Sequence, residues 1–159
     1  MKTIAQHPVV VESMQGENGA VRVVVARPPC FDSVCAAFNI VPKYAIFSYG
    51  DRIYSPDVEI LPDHLIEHEK VHLRQQGGTE EGAVLWWGKF LRDPQFRIEQ
   101  EIEAYARQYQ YFQSKVNDRN KVAKFLWALA TSMSGPLYDN CITHYEAMTR
   151  IKNYKKITP

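Results

Sequence analysis

His68-Glu69-Lys70-Val71-His72 is the stretch from which the rest of the chain is read. It sits in a segment, 62–76, that has the marks of a helix. Pro62-Asp63 opens it, Gly77-Gly78 closes it, and Leu65, Ile66, Val71 and Leu73 flank the motif as a partly buried face. On a helix, residues four apart share a face one turn apart, so His68 and His72 can offer two imidazoles to one metal ion. Glu69 follows the first of them and leans toward the same place. Two neutral histidines and a carboxylate able to take a proton from water are what a zinc hydrolase needs. The bland alternative is a surface helix with polar residues at helical spacing. Buried His and Glu need partners, and the apolar flanks favour the metal reading.

His64 extends the stripe to His64, His68 and His72. That stripe spans about 12 Å against Zn–N bonds of about 2 Å, so His64 is expected at the rim, on the substrate side or in solvent rather than as a ligand. A third protein ligand must therefore come from elsewhere. Asp93-Pro94 is an N-cap followed by proline at the first helical position, and it opens a second helix, 94–116, that carries Glu99, Glu101 and Glu103.

At this point the chain resembles the gluzincin type of metallopeptidase, in which H-E-x-x-H lies on one helix and a glutamate on a following helix completes the zinc site. In that type a small residue often stands three positions after the ligand Glu, and an Asp four positions after it. Glu101 with Ala104 matches the first feature, but Tyr105 stands where the Asp would be. The resemblance implies Zn2+ held by His68, His72 and Glu101, with Glu103 and then Glu99 as the alternatives to Glu101. It implies Glu69 as general base, and Tyr138 or His144 as the stabiliser of an oxyanion. For those last two the plainer reading is a structural turn, 134–138, and a capping box at Thr143-His144-Tyr145-Glu146. Arg97, four residues before Glu101, is expected to orient or screen its carboxylate. A hairpin of strands 44–48 and 52–55, joined through Tyr49-Gly50-Asp51, precedes the motif helix. The resemblance gives it the role of an edge that pairs with extended peptide.

Outward from the site, 9–11 and 21–26 are β-branched runs separated by the turn residues 16–19. Residues 32–38 make a short helix, and Cys30 and Cys35 around its start are expected to be inert thiols. Residues 83–91 form a helix whose Trp86 and Trp87 are core residues or, less simply, a pocket wall. Tyr105, Tyr109 and Phe112 form an apolar stripe on the second ligand helix, and helices at 122–132 and 143–154 follow. The fold class expected is α+β in one domain, 1–159. A short antiparallel or mixed sheet fills 1–60, and a helical zincin-like core carrying the motif helix and the glutamate helix fills 61–159.

Composition bounds the alternatives. The chain has 159 residues, 45% hydrophobic and 23% charged, so it can build a core and is not disordered. Its net charge of +1 and the lack of a basic stripe argue against nucleic acid, and a two-metal nuclease would want a carboxylate cluster. No stretch has the length of a transmembrane helix. Three cysteines without an export-like start point to a reducing compartment, hence a cytoplasmic protein. The expected partner is a protein or peptide substrate. The rival reading is a zincin scaffold that is weakly catalytic or not catalytic, serving assembly as a homo-oligomer or virion component. It draws on a likeness of 49–56, Trp86-Trp87 and Glu101-Ile102-Glu103-Ala104-Tyr105 to small phage-encoded H-E-x-x-H proteins. A regulatory peptidase acting on one repressor-like partner, and a plain helical binding module, stand behind these two.

Overall fold

The computed structural model describes residues 9–13, 21–38, 45–56 and 61–155. Strands β1 (Val9–Ser13) and β2 (Val21–Val25) pair antiparallel from Val9↔Val25 to Ser13↔Val21. The turn expected at 16–19 lies outside the described residues. Helix α1 (Phe31–Phe38) leads to β3 (Phe47–Tyr49) and β4 (Arg52–Tyr54), an antiparallel hairpin closed by Gly50-Asp51. Gly50 has φ of +66°, a conformation that costs a glycine nothing. β4 also pairs parallel with β2, giving a mixed sheet in the order β1-β2-β4-β3 and leaving β3 as an edge. The hairpin is shorter than its sequence suggests, because Ala45 and Ile46 stay outside the ladder and Tyr49 joins it.

The helices follow as α2 (Asp63–Gln75), α3 (Glu80–Arg92), α4 (Pro94–Lys115), α5 (Arg119–Met133), a 3-10 turn (Pro136–Tyr138) and α6 (His144–Asn153). Their ends are written in the sequence. Thr79, Asp93, Asp118 and Thr143 each accept hydrogen bonds from backbone N–H groups of the helix that follows, satisfying donors the first turn leaves orphaned. Gly77 and Gly78 stop α2 with left-handed φ of 73° and 66°, their N–H groups returning to Arg74 O and Leu73 O at 2.9 and 3.0 Å. α3 starts hard against that stop: a Cβ on Gly82 would lie 1.8 Å from Gln76 O. None of the described helices is long and apolar enough to cross a membrane.

The α+β class is therefore as expected. Among the described residues, burial is divided into three apolar clusters. Ile98, Ile102 and Tyr109 of α4 pack with Leu126, Leu129 and Met133 of α5 and with Ala147 and Ile151 of α6. Phe31 and Val34 of α1 pack with Phe47 and Tyr49 of β3 and with Trp86, Trp87 and Phe90 of α3. Val23, Ile53, Leu61 and Ile66 fill the space between the sheet and α2. A buried tryptophan withdraws on the order of 200 Å² from water, which at ~25 cal/mol per Å² is about 5 kcal/mol before entropy is counted. Trp86 and Trp87 are thus main supports of the second cluster. α2 lies along α4, between the first two clusters, and that seam holds the polar residues described next.

Candidate metal centre

His68 and His72 point from one face of α2 into the seam, and Glu101 meets them from α4; all three are buried. His68 Nε2 and His72 Nε2 are 3.1 Å apart. Glu101 Oε2 lies 3.4 Å from His68 Nε2, and Oε1 lies 3.6 Å from His72 Nε2. A tetrahedral ion with bonds of ~2.0–2.1 Å sets its ligand atoms about 3.3–3.4 Å apart. The two imidazole nitrogens and the carboxylate, with one donor atom from each residue all within 4.8 Å of one another, are near enough to close around such an ion. Glu101 Oε2 is also buried with no hydrogen-bond partner, an orphan that a cation would satisfy. Two imidazole nitrogens with one carboxylate suit a divalent transition-metal ion.

The electrostatics agree. Burial alone would push the His72 ring down, but Glu101, helped by Glu69 and Gln75, outweighs it and raises His72 to about 9. Burial likewise opposes ionisation of Glu101, and His72 and His68 overcome it, holding the carboxyl well below the usual range. The metal-free cluster is therefore an imidazolium–carboxylate pair, and an entering cation would displace a proton.

Sequence reasoning does not find the partners of the ligands. His68 Nδ1 lies 3.0 Å from Gln108 Oε1, and His72 Nδ1 lies 2.9 Å from Gln75 Oε1. Each ring donates Nδ1–H to an amide oxygen, so that once the His72 proton is displaced both Nε2 lone pairs face the cluster. Gln75 is anchored in turn, donating to Gln100 O at 3.1 Å and Glu103 Oε2 at 3.0 Å. Glu103, which also pairs with Arg74, supports the centre from outside and is not a donor within it. Glu99 faces away, its two oxygens each 2.8 Å from Arg150. Of the three candidate glutamates, only Glu101 reaches the cluster.

Two expectations for α4 need correction. Arg97 does not face Glu101. Its Nε donates to Phe90 O at 2.9 Å, its Nη1 to Asp139 at 2.7 Å, and its guanidinium lies 4.7 Å from the centre of the Phe38 ring. Tyr105 is more than a core residue: its ring lies 4.7 Å from that of His68, and it lines the cleft. Tyr109 does join the core.

That cleft, about 410 Å³, opens onto the cluster. Glu69, Gln108, Tyr138 and both tryptophans line it, with apolar walls that include Val34, Phe38, Phe47 and Phe90. Glu69 is held by Ser48 of β3, whose hydroxyl lies 2.6 Å from Glu69 Oε2 and 2.8 Å from Glu69 O. Ser48 is itself fixed: its carbonyl accepts from Gln76 Nε2 at 2.9 Å and Trp87 Nε1 at 3.0 Å. That occupies the outer carbonyl of β3 at Ser48, one position of the hairpin edge expected to pair with extended peptide. Ala45 and Ile46, just before it, remain on the cleft wall.

Tyr138 sits across the cleft, buried, its hydroxyl 3.3 Å from that of Tyr105. Burial raises both phenols, so each is a neutral donor at ordinary pH. The turn that presents Tyr138 continues through Asp139 and Asn140 at φ of 58° and 52°, clamped by the Arg97–Asp139 pair. His144 is not brought to the centre. At the start of α6 it lies against the side of α5, with its ring 4.1 Å from that of Trp127 and Nε2 3.2 Å from Trp127 O. The oxyanion role expected of His144 is thereby removed. His64 is neither a ligand nor free in solvent, being half-buried against Phe125 and bonded to Gln108. Trp86 and Trp87 are core residues and cleft wall at once. Cys30, Cys35 and Cys141 are free, and burial lifts the Cys30 thiol to about 11, as suits an inert residue.

No protein-family model, curated protein or solved structure matches this chain.

Proposed function

We propose that this protein is a zinc-dependent peptidase of gluzincin type, with His68, His72 and Glu101 as the metal ligands. The observation that carries the reading is the convergence of two buried imidazole nitrogens and a buried carboxylate, with donor atoms within 4.8 Å of one another, beside Glu69 on the wall of the same cleft. Zinc held there would supply a coordinated water of near-neutral pKa and an electrophile for a carbonyl oxygen. Glu69, positioned by Ser48, takes the proton of the attacking water and delivers it to the leaving amine. Tyr138, with Tyr105 beside it, donates a hydrogen bond to the developing oxyanion. The apolar walls exclude water and receive a substrate side chain, and the backbone at Ala45 and Ile46 is a place for a peptide to lie.

Two measurements test this together. Purified protein should carry about one zinc per chain, lost in Glu101→Ala and kept in Glu103→Ala. Wild type should cleave members of a mixed peptide library, and Glu69→Gln should keep the zinc and lose the cleavage. Undiminished cleavage by Glu69→Gln, or a zinc-free wild type after supplementation, overturns the assignment.

A second reading, a zinc-stabilised assembly component without turnover, draws on two observations. The outer carbonyl of β3 is occupied at Ser48, and Leu85, Trp127 and Tyr145 are large apolar groups left on the surface at 76%, 60% and 75% exposure. Zinc retention without cleavage of any library peptide would favour it.

A further inference from the structure

An amide orients a histidine only when it lies the right way round. A carboxylate offers oxygen at both ends, whereas a glutamine offers oxygen at one and NH2 at the other. With Oε1 toward His68, Gln108 accepts the Nδ1–H and keeps the Nε2 lone pair on the metal side. Turned over, its NH2 would face Nδ1, and the ring would have to carry its proton on Nε2, inside the donor cluster. Gln108 is buried, 6% exposed on the cleft wall, so the wrong orientation would leave its amide poorly satisfied. Something must set the amide.

For Gln75 the corresponding demand is met by two acceptors at its NH2 end, Gln100 O and Glu103 Oε2. For Gln108 the acceptor is His64 Nδ1, 3.0 Å from Gln108 Nε2. His64 lies on α2 one turn before His68, with its ring 5.0 Å from that of Phe125 and 6.0 Å from that of Phe112. Burial among these rings lowers its pKa, against the pull of Asp63, and so keeps it neutral with a lone pair to offer.

We propose that His64 is a positioning residue of the metal centre: by accepting from the Gln108 amide it fixes which end of that amide faces His68, and so holds His68 in the tautomer that binds metal. The proposal rests on the metal-centre reading above. It also assigns work to the first histidine of the stripe, which is too far along α2 to bind the ion itself.

The test is a double-mutant cycle on the full chain. Zn2+ dissociation constants are measured at neutral pH by competition with a chromogenic chelator. His64→Leu keeps an apolar group against Phe125 and removes the acceptor; it should weaken zinc binding about tenfold, the scale of an outer-shell defect. Gln108→Glu, which has oxygen at both ends, should bind at least as tightly as wild type. In that background His64→Leu should change the affinity by less than about twofold, because a carboxylate has no orientation to lose. Gln108→Met is a second background with no amide to set, and there too His64→Leu should add nothing. Equal losses from His64→Leu in all backgrounds would mean that His64 only packs, and would overturn the proposal while leaving the metal centre standing. An unimpaired His64→Leu in the wild-type background would do the same. A wild type that binds no zinc overturns both.

Discussion

The metal-free protein should lose stability as the pH rises from about 6.5 to about 9, and zinc should abolish that loss. Burial would depress the His72 ring, but Glu101, 3.6 Å away, with Glu69 and Gln75, raises it to about 9 in the folded state. In the unfolded chain the same imidazole titrates near ~6.5. The folded state holds that proton more tightly, so the stabilisation is complete below pH ~6.5 and is lost as pH climbs through the folded value. At about 1.36 kcal/mol per pH unit, the interval is worth on the order of 3 kcal/mol, a large share of the ~5–15 kcal/mol typical of a folded domain. The depressed carboxyl of Glu101 is the other half of the same ion pair and adds nothing to this fall. Its own contribution is present above its unfolded value and is lost only as pH drops toward the folded one. Zinc takes the place of the His72 proton, so the loaded protein has none to lose in this window. The assay is urea unfolding followed by tryptophan fluorescence from pH 6 to 9.5, with EDTA or with zinc, beside His72→Gln in EDTA. A metal-free stability that is flat or rising across that range would refute the reasoning, as would the same fall in His72→Gln.

Three further outcomes are expected. Ser48→Ala removes the donor to Glu69 while touching no ligand, so zinc content should hold and turnover should drop about tenfold or more, read as kcat on whichever library peptide is cleaved; an unchanged kcat would separate Ser48 from the chemistry. Gly82→Ala places a methyl 1.8 Å from Gln76 O, and backbone has little room to yield, so thermal unfolding should register a loss of about 1–3 kcal/mol together with weakened support of Ser48. Glu67 is buried between Arg107, 2.8 Å from its Oε2, and Lys70, 2.8 Å from its Oε1, so Glu67→Leu should cost roughly 1–3 kcal/mol in urea titrations by stranding two partly buried cations; a neutral result would show that water replaces the carboxylate there.

The three members of the donor cluster are legible in the sequence because helical period alone puts His68 over His72, and because Asp93-Pro94 marks where the helix bearing Glu101 begins. The supporting residues are not. Gln75 and Gln108 carry no charge, and nothing in a lone glutamine says that a ring nitrogen will face it. One signal is available: Gln108 lies seven residues after Glu101, two turns along the same face of α4, which is where support for His68 can come from when Tyr105 replaces the expected Asp. Arg97 escapes the pattern because an i, i−4 relation to Glu101 ignores the more distant carboxylate of Asp139, which the 3-10 turn carries up to it. His144 escapes it because a capping position says where a helix starts, not which side of α5 the helix will occupy. The strand expected at 44–48 is too long at its start because Ala45 and Ile46 have the composition of a strand but lie on the cleft instead.

α4 meets the rest of the centre at nearly every turn. Along its 22 residues, Arg97 clamps the Tyr138 turn, Gln100 and Glu103 hold Gln75, and Glu101 joins the two histidines of the donor cluster. Further along, Tyr105 packs edge-on against His68, Arg107 reaches Glu67, and Gln108 supports His68. A helix advances about 100° per residue, so one residue inserted or deleted in the middle of α4 would turn every later contact off its target at once. The connection between α5 and α6 reaches the cleft through Leu137 and Tyr138. Length variation in descendants or designed variants of this chain should therefore collect in the connection between α4 and α5, residues 116–118, while α4 and the connection that carries Tyr138 keep their residue counts even where surface side chains drift.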